Sequence, residues 1–290
     1  MYELKAVPSF EIFTPSSLTE LISFLRETDG SPVLYAGGTD LMPMMKRGKI
    51  KPIKVIDISG LSELNYIIHK NNQFRVGALV TIQDFATSSV IPERYLSIKW
   101  LTKYFGAETT RNMATVGGNV VSGGERDIPA ILTSLDGSVV IMGPDGKRSS
   151  NPLETQLSPS EIVTEIAFDD WGPDSVSWFT KFEKRASNGI GVVTAAVAMK
   201  LVDGRVSKLR TVLNRVDGRK VGRLHELENE LTDKILTETI IKTAVEKHVS
   251  KIKPASDFRA SSEFRKHVSK VILTRGIIHC WEFLVSRSNA

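Results

Sequence analysis

Hydrophobic positions near the start of the chain alternate between helical and strand spacing. Leucine and isoleucine recur on one helical face over residues 18–25, and Ser17 and Glu20 have the spacing of a capping box. Short runs of β-branched and apolar residues over 32–35 and 54–58 predict two strands. The beginning of the chain is therefore predicted to form a small strand–helix–strand lobe.

The middle of the chain carries the same two kinds of pattern in a less regular order. Its apolar runs and turn residues predict strands over 73–79, 138–142 and 162–168, and helices over 81–85, 93–105 and 128–135. This order lacks the strict alternation of strand and helix that builds a doubly wound parallel sheet.

The last part of the chain follows a cluster of turn-forming residues, 170–174. Its pattern predicts strands over 176–182, 192–202 and 205–214, followed by helices over about 233–248 and 261–285. We therefore predict an α+β fold with two domains: residues 1–171, with lobes of about 1–59 and 60–171, and residues 172–290, with an antiparallel sheet plus helices.

Composition places the chain among ordinary soluble proteins. Of its 290 residues, 41% are hydrophobic and 24% charged, and no apolar run approaches the length of a membrane span. The N-terminus lacks the apolar segment of a signal peptide, so we expect a cytoplasmic protein. Acidic residues interrupt the basic ones that give a net charge of +5, which favours a solvated helical face over nucleic-acid binding.

Cysteine and histidine offer no metal site. The single cysteine, Cys280, cannot form an internal disulfide or hold an iron–sulfur cluster, and its apolar neighbours favour a buried structural thiol over a catalytic one. The five histidines lack ligand spacing. We therefore expect no metal ligand, and we find no nucleophile–base pair that would act as a catalytic residue set.

Two glycine-rich stretches carry the chemical signal. We define residues 34–43 as the first glycine loop and residues 115–119 as the second. Paired glycines let successive backbone N–H groups form an anion-binding nest, although tight turns use the same sequence. Two nests suit a ligand with two linked phosphates, and a side chain at Gly37 or Gly117 would then block the approach of a phosphate.

The order of these motifs resembles a known family. Residues 34–46, 105–119, 181–185 and 257–265 are similar to the FAD-binding (medium) subunits of molybdenum hydroxylases, which include carbon monoxide dehydrogenase medium chains and bacterial xanthine dehydrogenase subunits. The resemblance implies a two-lobed FAD-binding domain of the PCMH or vanillyl-alcohol-oxidase type, followed by a C-terminal domain of the CO dehydrogenase flavoprotein type.

The resemblance also implies the cofactor contacts. Asp40 and Leu41 would lie beside the flavin ring, Asp127 would accept hydrogen bonds from FAD hydroxyls, and Lys181 would reach the flavin from the second domain. The loop before Asp127 is one residue shorter than in relatives. The full set of expected contacts is Leu34, Ala36, Gly37, Gly38, Thr39, Asp40, Leu41, Phe105, Ala114, Thr115, Gly117, Gly118, Asn119, Asp127, Ile162 and Lys181.

The function implied is that of an FAD-carrying electron-transfer subunit. Substrate would be oxidised at the molybdenum cofactor of a large partner, and electrons would pass through [2Fe–2S] clusters of a small partner, in a dimer of heterotrimers. One alternative is a free-standing FAD oxidase of the same fold, although the part after Pro173 is small for a substrate-covering domain. Another is an interaction protein that uses the glycines only as turns.

Overall fold

The computed structural model describes residues 7, 9–28, 32–122, 126–184, 191–214, 217–218 and 221–288. These residues form an α+β fold that contains two small parallel sheets, one of three strands and one of two, and two larger antiparallel sheets, so the predicted fold class is confirmed. Residues 123–125 of the shortened loop and Arg185 of the family resemblance lie outside the described residues.

The first lobe is a small parallel sheet covered by a helix. Its strands pair in the order β1-β3-β2, and Leu21 and Leu25 of the first helix are buried against Ile56. The Ser17 hydroxyl accepts the Glu20 N–H, as the capping spacing predicts. The elements are β1 (Glu11–Phe13), α1 (Leu18–Glu27), β2 (Val33–Tyr35), α2 (Leu41–Lys46) and β3 (Lys54–Asp57).

The second lobe is a five-stranded antiparallel sheet with short helices. The strands pair in the order β4-β5-β8-β6-β7. After a 3-10 helix (Ser62–Leu64), the elements are β4 (Ile67–Lys70), β5 (Gln73–Gly77), α3 (Ile82–Thr87), α4 (Leu96–Lys99), α5 (Leu101–Tyr104), α6 (Glu108–Arg111), α7 (Val116–Val121), α8 (Asp127–Ser134), β6 (Ser138–Gly143), β7 (Gly146–Ser150) and β8 (Ile162–Asp169).

The single helix predicted over 93–105 is wrong in extent. The structure has two short helices, α4 and α5, which meet at Trp100, and residues 93–95 precede them without helical structure. Tyr95 is buried, and its hydroxyl donates to Asp170 over 2.9 Å. Anchoring of this side chain in the core therefore overrides the local helical pattern.

The C-terminal part consists of an antiparallel sheet covered by helices. We call the four strands in the order β13-β11-β10-β9 the C-terminal sheet. The elements are β9 (Ser175–Glu183), β10 (Gly191–Val202), β11 (Arg205–Asn214), β12 (Asp217–Gly218), β13 (Val221–Arg223), α9 (His225–Leu231), α10 (Glu238–Val249), β14 (Lys253–Pro254) and α11 (Ser262–Ser288).

The first of the two predicted C-terminal helices begins later than expected. Asp233 adopts a left-handed φ of 63°, and the hydroxyl of Thr237 then caps α10 by accepting the Ile240 N–H over 3.3 Å. Helix α9, which the pattern did not predict, precedes this turn. No helix in the described ranges is both long and apolar enough to cross a membrane.

Ion pairs and packing fix the C-terminal sheet to the second lobe. Asp136, at the end of α8, accepts hydrogen bonds from Arg210 over 2.7 Å and forms an ion pair with Lys208 at 2.9 Å. Burial raises the pKa of Asp136, but these two cations outweigh it and hold the pKa below its ordinary value. Helix α8 is therefore held between the second-lobe sheet and the C-terminal sheet.

Candidate functional site

A cleft between the first and second lobes brings most of the predicted contacts together. Its cavity volume is about 300 Å³. The predicted residues that line it are Leu34, Ala36, Gly37, Gly38, Thr39, Asp40, Leu41, Phe105, Ala114, Thr115, Gly117, Gly118, Asn119 and Ile162. Asp127 and Lys181 do not line the cavity.

Both glycine loops pack closely against other backbone segments at the cleft. A Cβ placed on Gly37 would lie 1.6 Å from the carbonyl oxygen of Met113, just before the second loop. A Cβ on Gly117 would lie 2.7 Å from the Cβ of Ala78. The sequence predicted that a side chain at either position would block a phosphate, but the first obstacle at both is the protein's own chain.

Backbone N–H groups in the first glycine loop point to no protein acceptor. Within the described part of the chain, the N–H groups of residues 37–41 make no hydrogen bond to protein. Gly38 has a φ of +67°, and a Cβ there would lie 2.5 Å from the ring of Tyr35. Positive φ and close contact with an aromatic ring both require glycine, so the loop keeps a conformation in which its donors stay available.

The second glycine loop differs, because its N–H groups are already used. Val116 donates to the carbonyl of Val80 over 2.9 Å, and Gly117 donates to that of Ala78 over 2.8 Å. The Thr115 hydroxyl accepts the Gly118 N–H over 3.1 Å and caps α7. The expectation of two equivalent nests is therefore wrong for the amides of residues 116–118.

Asn119 connects the second loop to the next helix. Its side-chain oxygen accepts the N–H of Ile128 over 3.0 Å, in a buried position at the start of α8. This bond satisfies a donor in the first turn of α8, where the helix itself offers no acceptor. Asn119 thus lines the cavity and also fixes the position of α8.

Arg111 fixes the turn that carries Phe105. Its guanidinium donates to the carbonyls of Phe105 and Gly106 over 3.2 and 3.0 Å, and to the side-chain oxygen of Gln83 over 2.7 Å. Arg111 is itself buried. The described acceptors are all uncharged, so this cation stabilises a loop conformation and keeps the Phe105 ring at the cavity.

Asp127 and Lys181 form a buried ion pair instead of lining the cavity. The Lys181 ammonium lies 3.0 Å from the Asp127 carboxylate and 3.3 Å from that of Glu183. Burial raises the pKa of Asp127, and the charges of Lys181 and Arg126 oppose part of the rise. Because a buried charge needs a partner, each of these side chains is directed toward the other.

A polar contact joins the two lobes at the rim of the cleft. The Asp40 carboxylate, from the first glycine loop, accepts a hydrogen bond from the Ser122 hydroxyl over 2.7 Å. The same oxygen lies 3.0 Å from the guanidinium of Arg126. All three residues line the cavity. Arg126 was missed as a site residue because nothing in the loop sequence indicates which way its side chain points.

The sequence also missed half of the apolar side chains in the cavity wall. Residues that line the cavity without having been predicted are Ile58, Ala78, Leu79, Thr110, Val121, Ser122, Arg126, Leu157 and Val163. Ile58 and residues 78–79 stand at the ends of predicted strands that lead to the cleft. That position could have identified them as lining residues. Leu157 lies in a loop with no such signal. No cluster of metal-ligating side chains occurs in the part of the chain that the structure describes.

Comparison with known families agrees with this architecture. Residues 8–168 match the family described as the FAD binding domain in molybdopterin dehydrogenase, and residues 178–280 match the CO dehydrogenase flavoprotein C-terminal domain. The first match alone covers more than half of the chain. The protein therefore belongs to the FAD-binding medium subunits of the molybdopterin dehydrogenases, which are oxidoreductase subunits of multisubunit enzymes, and the resemblance seen in the sequence is confirmed.

Individual relatives cover nearly the whole chain. It is 29% identical to the glyceraldehyde dehydrogenase medium chain of Sulfolobus acidocaldarius, over 91% of this chain and 96% of that one. It is 30% identical to the nicotinate dehydrogenase FAD-subunit of Eubacterium barkeri, over 79% and 81%. Its fold matches the crystal structure of quinoline 2-oxidoreductase from Pseudomonas putida 86 with a TM-score of 0.88, over 97% and 99% at 23% identity.

Proposed function

We propose that this chain binds FAD in the cleft between its lobes and transfers electrons from iron–sulfur clusters of a small partner to an external acceptor. Substrate is oxidised at the molybdenum cofactor of a large partner, and the three chains assemble as a dimer of heterotrimers. The observation that carries the proposal is the row of N–H groups at residues 37–41, which line the cleft and find no acceptor among the residues that the structure describes.

These donors suit the pyrophosphate of a dinucleotide. Successive N–H groups in a turn form a concave site for an anion, and they need no lysine or arginine to do so. Among the described lining residues, the cation of Arg126 is already matched by the carboxylate of Asp40. Backbone dipoles are therefore the main source of positive potential for an anionic ligand in this cleft.

The lining of the cleft favours binding and orientation over acid–base chemistry. When FAD is bound, its flavin ring supplies the redox chemistry, and the protein supplies position and electrostatics. The side chains along the described lining are apolar groups, hydroxyls, one amide, one carboxylate and one guanidinium, without an imidazole or thiol. The chain has one cysteine, too few to hold an iron–sulfur cluster, so the clusters belong to a partner.

The test is to purify the chain alone and record its absorption spectrum. We expect flavin bands, release of FAD and not FMN on denaturation, and bleaching by dithionite. The single chain should leave aldehydes, purines and carbon monoxide unoxidised with a dye acceptor until the small and large partners are added. Absence of any bound or bindable flavin would contradict the proposal, whereas substrate turnover by the chain alone would favour the free-standing oxidase.

A further inference from the structure

The rim contact between Asp40, Ser122 and Arg126 connects parts of the chain that are far apart in sequence. Asp40 immediately precedes α2, Ser122 ends α7, and Arg126 precedes α8. One carboxylate oxygen receives both partners, at 2.7 Å from the hydroxyl and 3.0 Å from the guanidinium. Movement of either loop away from the other would separate this carboxylate from both donors.

We propose that Asp40, Ser122 and Arg126 form a clamp that holds the first glycine loop to the end of α7 and the start of α8 and slows the release of the dinucleotide. The inference rests on the proposed function, because it takes the ligand of the cleft to be FAD. It assigns Asp40 and Arg126 to cofactor retention, with Arg126 acting as a positioning residue through Asp40.

The position of the clamp supports this role. Its side chains line the cavity, yet those of Asp40 and Arg126 keep 46% and 39% of their surface exposed, so they lie where the cleft opens to solvent. Deeper in the cleft, the backbones at Gly37 and Met113 already touch. The clamp adds a contact from the first glycine loop to the end of α7 and the start of α8, and this one can open without disturbing the core because it is half-exposed.

The charges of the clamp allow a decisive test. FAD is an anion, so simple electrostatics predicts that loss of the Asp40 charge strengthens retention and that loss of the Arg126 charge weakens it. The clamp predicts that either loss weakens retention, because each removes the same contact. The sign of the effect at Asp40 therefore separates the two explanations.

The experiment measures the rate at which FAD leaves the holoprotein in the presence of an excess of a second apoflavoprotein as a trap. We expect Asp40→Asn and Arg126→Gln each to speed release about fivefold, and the double variant to release FAD no faster than the faster single variant. Ser122→Ala should speed release about twofold. The control is Lys242→Gln, which removes an exposed cation paired with Glu238 on α10 and should release FAD at the unaltered rate.

Three results would overturn the clamp. The first is slower or unchanged FAD release from Asp40→Asn, and the second is unchanged release from Ser122→Ala. The third is a double variant whose release rate rises by the product of the two single-variant effects. If a charge variant does not fold, the unaltered protein still provides a test. A half-exposed ion pair is screened by salt, so release should accelerate with added NaCl, and a flat salt profile would contradict the clamp. A chain that binds no FAD at all would instead refute the proposed function.

Discussion

The two glycine loops are similar in sequence but have different roles in the structure. Both place adjacent glycines next to hydroxyl and polar side chains, and both line the same cleft. In the described ranges, the first glycine loop leaves the N–H groups of residues 37–41 without protein acceptors. The second uses those of residues 116–118 in bonds to the segment that follows β5 and to the cap of α7. Similar glycine motifs thus leave backbone donors available in one place and form a rigid wall in the other.

The difference between the loops shows which structural requirement their glycines meet. At Gly37 and Gly117, the missing side chain lets one segment of backbone approach another segment of the same protein. A motif that suggests ligand contact therefore first meets a requirement of the fold. The available amides of the first loop are a product of that packing, since it imposes the loop conformation.

The largest effect is expected for Gly37→Val. A side chain here must displace the backbone at Met113 and so separate the two loops. We expect a loss of at least ~3 kcal/mol of stability together with loss of FAD, because overpacking that moves backbone is strongly destabilising. Thermal unfolding and flavin content check this, and a folded Gly37→Val protein with full FAD would contradict the loop contact.

Lys181→Met tests the buried ion pair that connects β9 to the start of α8. Loss of the ammonium leaves the Asp127 carboxylate buried without this partner, which should cost about 3 kcal/mol at neutral pH. The pKa of Asp127, already raised by burial, should rise further. A group with a raised folded pKa stabilises the protein below its unfolded pKa and loses that contribution as pH rises, so the stability of the variant should fall from about pH 4 upward. The defect relative to the unaltered protein should grow once pH passes the raised folded pKa that Asp127 has in that protein.

The control for Lys181→Met adds Asp127→Asn to it. The double variant has no carboxylate at position 127 to ionise, so the part of the defect that grows with pH should disappear. Thermal unfolding midpoints of both variants and the unaltered protein, measured between about pH 4 and 8, provide the check. A defect of equal size at every pH would show that the ion pair is not its cause.

A smaller effect is expected for Gly117→Ala. The new Cβ would meet the Cβ and carbonyl of Ala78 at 2.7 and 2.9 Å. We expect a loss of ~1–3 kcal/mol, with FAD affinity nearly unchanged in the protein that folds, because the amide of residue 117 is bonded to protein. Titration of the apoprotein with FAD measures this. Strong loss of affinity at unchanged stability would mean that the second loop binds phosphate through this amide.

The smallest effect is expected for Thr115→Val. Valine keeps the shape of threonine but cannot accept the Gly118 N–H, so the cap of α7 is lost at a cost of about 1 kcal/mol. FAD content should stay close to that of the unaltered protein. Thr115→Ser, which keeps the hydroxyl, is the matched control and should retain most of the stability. Equal destabilisation by both would exclude the cap as the cause.

Much of the fold could be predicted from the sequence because local patterns and tertiary structure agree. The C-terminal strands 192–202 and 205–214 have continuous apolar patterns, and the structure places strands there. The pattern failed where one buried side chain decides the backbone, as Tyr95 does before α4. Residues of the cleft could be predicted near glycine motifs, but Arg126 and Leu157 could not, because their positions depend on how distant segments fold together.

Residues 126 and 127 are adjacent in sequence and form ion pairs with two different parts of the molecule. Arg126 pairs with Asp40 in the first lobe, and Asp127 pairs with Lys181 on β9. A shortened polypeptide that ends near residue 171 would keep the glycine loops but lose β9. The Asp127 carboxyl would then lack its lysine, and the start of α8 would lose its tie to the C-terminal sheet. An isolated cofactor-binding fragment should therefore be a poor substitute for the full chain in studies of flavin chemistry, and crystallisation or engineering should retain both halves.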